Sequence, residues 1–206
     1  MGWQGSWQRI AFWLMAATSL TVAVVSYRFL ALGFAGAFAP QPIFAAFLAH
    51  QPLLFKAHVI AAPVALFLGV LQFLPKIRAR WPALHRWSGR ASVLAILIGG
   101  FAGLGLAMVM GPERPIAGLG FGALSTLWIL TAALGVQAIR RGDVSAHRQW
   151  MTYGFALTFS AVTFRLHLLA AFAMGVEYPS ASAVIAWSCW LPNLVVAWWL
   201  LRRPTA

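Results

Sequence analysis

Apolar residues fill this chain in long runs, and polar residues collect in short segments between them. Six runs, at about 10 to 36, 52 to 75, 91 to 110, 117 to 138, 150 to 174 and 181 to 201, are each long enough to cross roughly 30 Å of hydrocarbon as a helix. The pattern predicts an all-α integral membrane protein with six transmembrane helices in one domain, residues 1–206. Short connections such as Gly111 to Pro115 force successive helices to be antiparallel neighbours in a bundle. The stretch from Gly36 to Gln51, with Pro40 and Pro42, reads as the main outer loop with an interfacial turn. The first run imitates a secretory signal at Ala37-Phe-Ala39. Its length, the late Arg28 and the following Pro40 favour a retained helix.

Two of the polar segments share a plan. Gln72 to Arg90 holds five of the fifteen Lys and Arg residues, and Gln137 to Trp150 repeats its layout. Ile77-Arg78 and Ile139-Arg140 each stand eight residues before His85-Arg86 and His147-Arg148. Upstream, Leu68-Gly-Val-Leu-Gln72 echoes Leu134-Gly-Val-Gln137. This reads as a duplicated unit of helix, basic turn with His-Arg, and helix, giving two parallel helical-hairpin repeats, helices 2–3 and 4–5.

Composition narrows the function classes. The chain is 62% hydrophobic and 9% charged, against about 25% charged in a soluble domain. Its net charge of +12 sits beside apolar runs, so the counter-charge is anionic lipid headgroup and not nucleic acid. The single Cys189 excludes an intrachain disulfide and a Cys-rich metal site. The three acids, Glu113, Asp143 and Glu177, all fall in predicted loops. Carboxylate-driven proton transport, carboxylate–metal hydrolysis and a Ser-His-Asp nucleophile therefore lack their acids. No HExxH, P-loop or dinucleotide fingerprint is present, and nothing assigns catalysis.

Eleven of the fifteen cations, Arg9, Arg202 and Arg203 among them, fall on the side of the two His-Arg segments if the chain ends lie together. Arg114 alone falls opposite. The positive-inside bias then places both termini and both His-Arg turns on the cytoplasmic face of a bacterial inner membrane. Trp81, Trp87 and Trp150 fit the headgroup belt there. Gly99 and Gly103, and Gly118 and Gly122, have small-xxx-small spacing and read as helix-packing positions. Pro192 should bend the sixth helix.

The candidate chemistry is histidine and arginine. Equivalent in the repeat and at one depth, His85 and His147 could ligate one haem iron, with Arg86, Arg90 and Arg148 on its propionates. The competing reading makes these residues interfacial anchors, Arg on lipid phosphate and Trp at headgroup level. Toward the other face lie Arg28, Lys56, His58, Arg165 and His167, where snorkelling competes with function. Residues two apart on a helix point about 200° apart, so Lys56 with His58, or Arg165 with His167, cannot both face inward. On helix five, Met151, Gly154, Thr158, Ala161 and Arg165 share a face with His147. That face is expected inward, with Arg165 satisfied by carbonyls, hydroxyls such as Thr158, water or an anionic guest. A second haem on His58 and His167 would lie about 30 Å from the first along helix five.

The pattern LGVLQFLPKIRARWPALHRWSGR, then HRQWMTYGFALTFSAVTFRL and WLPNLVVAWW, resembles the bacterial membrane-protein family called domain of unknown function 2306, over about residues 55 to 200. The resemblance implies a multi-pass helical fold. It puts weight on His58, Gln72, His85, Arg86, Gly89, Arg90, His147, Arg148, Trp150 and Arg165. In many relatives an acid follows the Asn-Leu run of the last helix, whereas Ala197 and Trp198 stand there in this chain. The resemblance implies no reaction.

Three functional readings follow. The first is a membrane-embedded redox or cofactor module for haem b or a quinone. The second is a non-catalytic structural, assembly or lipid-binding subunit, alone, as a homo-oligomer or beside a membrane-protein partner. The third is a small-molecule or anion transporter with Arg165 as the binding cation.

Overall fold

The computed structural model describes residues 6–38 and 42–202. Among the described residues there are helices and turns and no strand. Six helical spans among the described residues are long and apolar enough to cross a membrane: Arg9–Ser26, Pro52–Gln72, Pro82–Met110, Pro115–Arg140, Val144–Ala173 and Tyr178–Arg202. Large apolar side chains such as Leu30, Leu53, Met108 and Val184 point outward, as lipid-facing surface does.

The helices are α1 (Ser6–Ser26), α2 (Phe29–Phe38), α3 (Pro42–His50), α4 (Pro52–Gln72), α5 (Pro75–Arg80), α6 (Pro82–Met110), α7 (Pro115–Arg140), α8 (Val144–Thr158), α9 (Ser160–Ala173), α10 (Tyr178–Ser188) and α11 (Leu191–Arg202). Proline opens α4, α5, α6, α7 and α10, where its missing N–H costs nothing and its φ is already helical. Asp143 caps α8, its Oδ1 accepting from Ala146 N at 2.8 Å. Gly142 and Gly175, at φ 78° and 70°, close α7 and α9. In each case the residue after the glycine returns its N–H to a carbonyl in the last turn, Asp143 to Ala138 and Val176 to Ala171.

Contacts between α4 and α6, α6 and α7, α7 and α8, and α4 and α8 close a four-helix ring. In that ring α6 and α8 stand on one diagonal. The first helix packs antiparallel along α4 and against α9, bringing Ala16 to Val70 and Ala23 to Leu66. The last span covers α7, α8 and α9. The α4–α6 and α7–α8 connections share one end, called the basic end here. The α6–α7 and α9–α10 connections share the other, the far end.

Several predicted boundaries move. The run expected as one helix over 10 to 36 breaks at a Tyr27–Arg28 turn, tied to α4 by Tyr27 Oη donating to Ile60 O at 2.7 Å. The expected loop before Gln51 contains α3, while Ala39 and Pro40 lie outside the described residues, as does Arg203. Helix two stops at Gln72, not 75, and helices three and five begin at Pro82 and Val144, not 91 and 150. His85 and His147 therefore sit in the first turns of helices and not in the connections. Ile77-Arg78 lies on the separate α5 while Ile139-Arg140 ends α7, so the matching spacing does not place the two pairs on matching elements.

The fifth and sixth spans are each broken near their middles, at Phe159 and at Cys189–Trp190. Pro192 accounts for the second break. The first has no local breaker and is held from the side. Asn193 Nδ2 donates to Ala156 O at 3.3 Å, to Thr163 Oγ1 at 3.2 Å and to Cys189 O at 3.1 Å. Thr163 Oγ1 also donates to Cys189 O. Side chains inserted into carbonyl ladders bend helices in this way.

Candidate functional site

At the basic end, the start of α6 is locked to the end of α4. Gln72 Nε2 donates to Ser88 Oγ at 2.8 Å, and Ser88 Oγ donates to Leu84 O at 2.6 Å. The amide of Gln72 lies over Gly89, where an added Cβ would meet Oε1 at 3.2 Å. Gln72 and Gly89 thus serve to position the turn that carries His85. His85 is half-buried, and its Nδ1 is buried without a hydrogen-bond partner. Arg78, His147 and Arg86 are close enough to act on it electrostatically.

His147 begins α8 across the diagonal. Its Nδ1 bonds to Gly135 O on α7 at 2.8 Å. A carbonyl can only accept, so Nδ1 carries the proton and Nε2 of the neutral ring is a lone pair. Gly135 lets α7 approach closely, since an added Cβ would run into the side chain of Met151 and meet Trp150 Cβ at 3.5 Å. Arg86, Arg90 and Arg148 are exposed. Arg90 lies 4.8 Å over the Trp87 ring.

Toward the far end, His58 Nδ1 donates to Gly99 O on α6 at 2.8 Å. Gly103 admits the ring, since a Cβ there would meet His58 Nδ1 and Ser125 Oγ, each at 3.0 Å. Lys56 turns outward over the Phe34 ring, 5.1 Å from its centroid. His167 bonds back to Thr163 O of its own helix at 2.8 Å. The expected inward face of helix five holds for Gly154 and Thr158, which are buried against α7. Thr158 Oγ1 does not reach Arg165; it accepts from Trp128 Nε1 at 2.8 Å and donates to Gly154 O at 2.8 Å. The break at Phe159 turns Arg165 toward α1, where Nη2 donates to Ser26 Oγ at 2.9 Å and Nη1 to Ala161 O at 2.7 Å.

The Trp128–Thr158 bond crosses between helices inside the bundle. Thr158→Val leaves the indole N–H unpaired and should destabilise the protein, and Trp128→Phe in that background should recover part of the loss. A double-mutant cycle of melting in detergent should give a coupling of about 0.6–1.7 kcal/mol; strictly additive losses would show that the bond contributes nothing.

Trp128, Ser125 and Ser26 were not singled out by sequence reasoning. The only signal for them is a polar or indole residue inside an apolar run. Among the described residues no three His, Cys, Asp or Glu side chains come together as a metal site. A zinc site, which takes at least three protein ligands, is not built here. A haem-type group would ask less of the chain, because its macrocycle would supply most of the donors. Two imidazoles and the nearby Arg78 and Arg86 match that donor set in kind.

The family model described as Predicted membrane protein (DUF2306) matches residues 55–201. No curated protein and no solved structure matches the chain.

Proposed function

The chain belongs to the DUF2306 family of predicted membrane proteins, and we propose that it binds a redox cofactor of the haem b type through His85 and His147 at its basic end. The observation that carries this reading is the bond from His147 Nδ1 to Gly135 O at 2.8 Å. It fixes the ring orientation and leaves Nε2 as the lone pair, the arrangement that backbone carbonyls give to metal-ligating histidines. The partnerless Nδ1 of His85 on the diagonal helix adds a second imidazole with unmet bonding capacity. Arg78 and Arg86 would meet propionates with the bidentate geometry guanidinium favours. When bound, haem would supply one-electron transfer. The chain's own residues hold the imidazole tautomer, supply cations, and lock α6 to α4 through Gln72 and Ser88.

A second reading rests on Arg90 stacked on Trp87 and Arg202 on Trp198, with centroid distances of 4.8 and 4.2 Å. Stacked Arg–Trp pairs at helix ends suit a lipid-headgroup anchor, and make the protein a non-catalytic membrane subunit. Titrating haemin into the detergent-purified chain separates the two. The cofactor reading expects saturation at one equivalent with a shifted, sharpened Soret band. A linear, unsaturated rise shared by a Trp87→Ala, Arg90→Ala double variant and the wild type would favour the anchor.

A further inference from the structure

Two hydrogen-bond donors at the far end have no acceptor, and they stand on neighbouring elements. Arg114, in the connection between α6 and α7, is the N-cap residue of α7. Its Nη1 is buried without a hydrogen-bond partner, although the residue as a whole is only half-buried. Tyr178 opens α10 and is 4% exposed. Its ring centroid lies 6.0 Å from that of Phe44 and 6.0 Å from that of Phe164. Among the described residues nothing hydrogen-bonds its Oη.

Packing of α10 along α7 brings the two residues to one level. Both helices start at the far end and run in the same direction. An added Cβ on Gly120 would meet Ala186 Cβ and Ala186 O, each at 2.9 Å, so the two helices abut there. Trp187 Nε1 donates to Ile116 O at 3.2 Å and ties the same pair together. Counting back from the contact, Arg114 stands six residues before Gly120 and Tyr178 eight before Ala186. At a helical rise of about 1.5 Å per residue these are about 9 and 12 Å along the two helices. Arg114 is close enough to act electrostatically on Tyr178. Glu113 and Glu177 adjoin the two residues in sequence, but both are exposed and neither accepts from Arg114 Nη1.

A guanidinium can only donate, and a phenol hydroxyl without a partner has its proton to give. The ligand that meets both therefore offers acceptors, and the fixed charge of Arg114 selects an anion. A buried donor left unmet is costly, the more so when charged, and an oxyanion removes that cost with charge-assisted bonds. We propose that Arg114 Nη1 and Tyr178 Oη form an oxyanion site between α7 and α10, at the end of the bundle opposite His85 and His147. It takes a phosphate, carried by a lipid headgroup or by a small solute. Arg114 supplies the charge, and Tyr178 a hydroxyl held in place by the packing of its ring.

The test is thermal melting of the detergent-purified full chain. One arm titrates sodium phosphate against sodium chloride of equal ionic strength, which removes general screening. The other compares mixed micelles of phosphatidylglycerol with diacylglycerol of the same chains. Saturable stabilisation is expected, its midpoint weakened at least about tenfold in Arg114→Gln and in Tyr178→Phe. It should be unchanged in Lys56→Gln, which removes an exposed cation toward the same end. Stabilisation by sodium phosphate assigns a free solute, and stabilisation by phosphatidylglycerol alone assigns a lipid headgroup. No saturable stabilisation in either arm, an unmoved midpoint in Tyr178→Phe, or an equal loss in Lys56→Gln overturns the site. If Arg114→Gln does not fold, Tyr178→Phe, which deletes one hydroxyl and keeps the ring against Phe44 and Phe164, carries the comparison.

Discussion

Gly118→Ala is expected to destabilise the folded chain by about 1–3 kcal/mol, toward the upper end of that range, while Gly122→Ala should stay within about 0.5 kcal/mol of the parent. The two glycines have the same small-xxx-small spacing, and only the structure separates them. A Cβ on Gly118 would lie 2.6 Å from Gly111 Cα and 3.0 Å from both Gly111 N and Ala107 O. All three are backbone atoms, of the last turn of α6 and of the residue that follows it, so no side chain can rotate away and the helices must part. On Gly122 the nearest atoms, in the side chains of Ala107 and Leu104, are 3.9 Å away, an ordinary contact that an added methyl improves. Melting or denaturant titration of the two variants in one detergent checks this. Equal losses would mean that the α6–α7 crossing is not packed as described.

The second large effect concerns the histidines taken one at a time. With His85 and His147 as the proposed ligands, His85→Ala and His147→Ala should each reduce haemin affinity by more than the ~10–100-fold that loss of an outer-shell partner costs. His58→Ala and His167→Ala should leave one equivalent bound. His58 and His167 hold the same Nδ1-to-carbonyl bond as His147, so the difference lies in pairing: His147 acts electrostatically on His85, whereas the charged group acting on His58 is Arg165 and not His167. Titration of all four variants, with circular dichroism to confirm helicity, decides between one site and the two-haem arrangement. Loss of half the bound haem in His58→Ala and His167→Ala would establish the second.

The number and rough position of the spans could be read from the sequence, because the width of hydrocarbon demands about 20 apolar residues per crossing. That His85 and His147 share one end followed from the alternation of antiparallel helices. Their partners could not be read. The bond from His147 to Gly135 depends on how α8 is rotated against α7, which spacing along one helix does not specify. The same limit applies to the glycines, since nothing local distinguishes Gly118 from Gly122.

Breaks were legible only where their cause was local. Pro192 announced the bend of the last span. The break at Phe159 is held by Asn193 and Thr163 through contacts between two spans, so the pattern of helix five alone extends Arg165 onto the face of Thr158. The turn at Tyr27–Arg28 was hidden because apolar residues continue on both sides of it. The basic segments extended the apparent connections for the opposite reason. Lys and Arg read as loop, yet proline at Pro82 and the cap at Asp143 start α6 and α8 within them.

Whether the His85–His147 end holds a redox cofactor decides between the cofactor and the anchor readings. The most direct measurement is a dithionite-reduced minus air-oxidised visible spectrum of the wild-type chain, purified in detergent from cells supplied with haem, with protein quantified in the same sample. Ligation of haem by His85 and His147 predicts b-type α and Soret difference bands at one haem per chain. A folded, monodisperse and colourless protein would contradict it and leave these histidines as parts of a headgroup anchor.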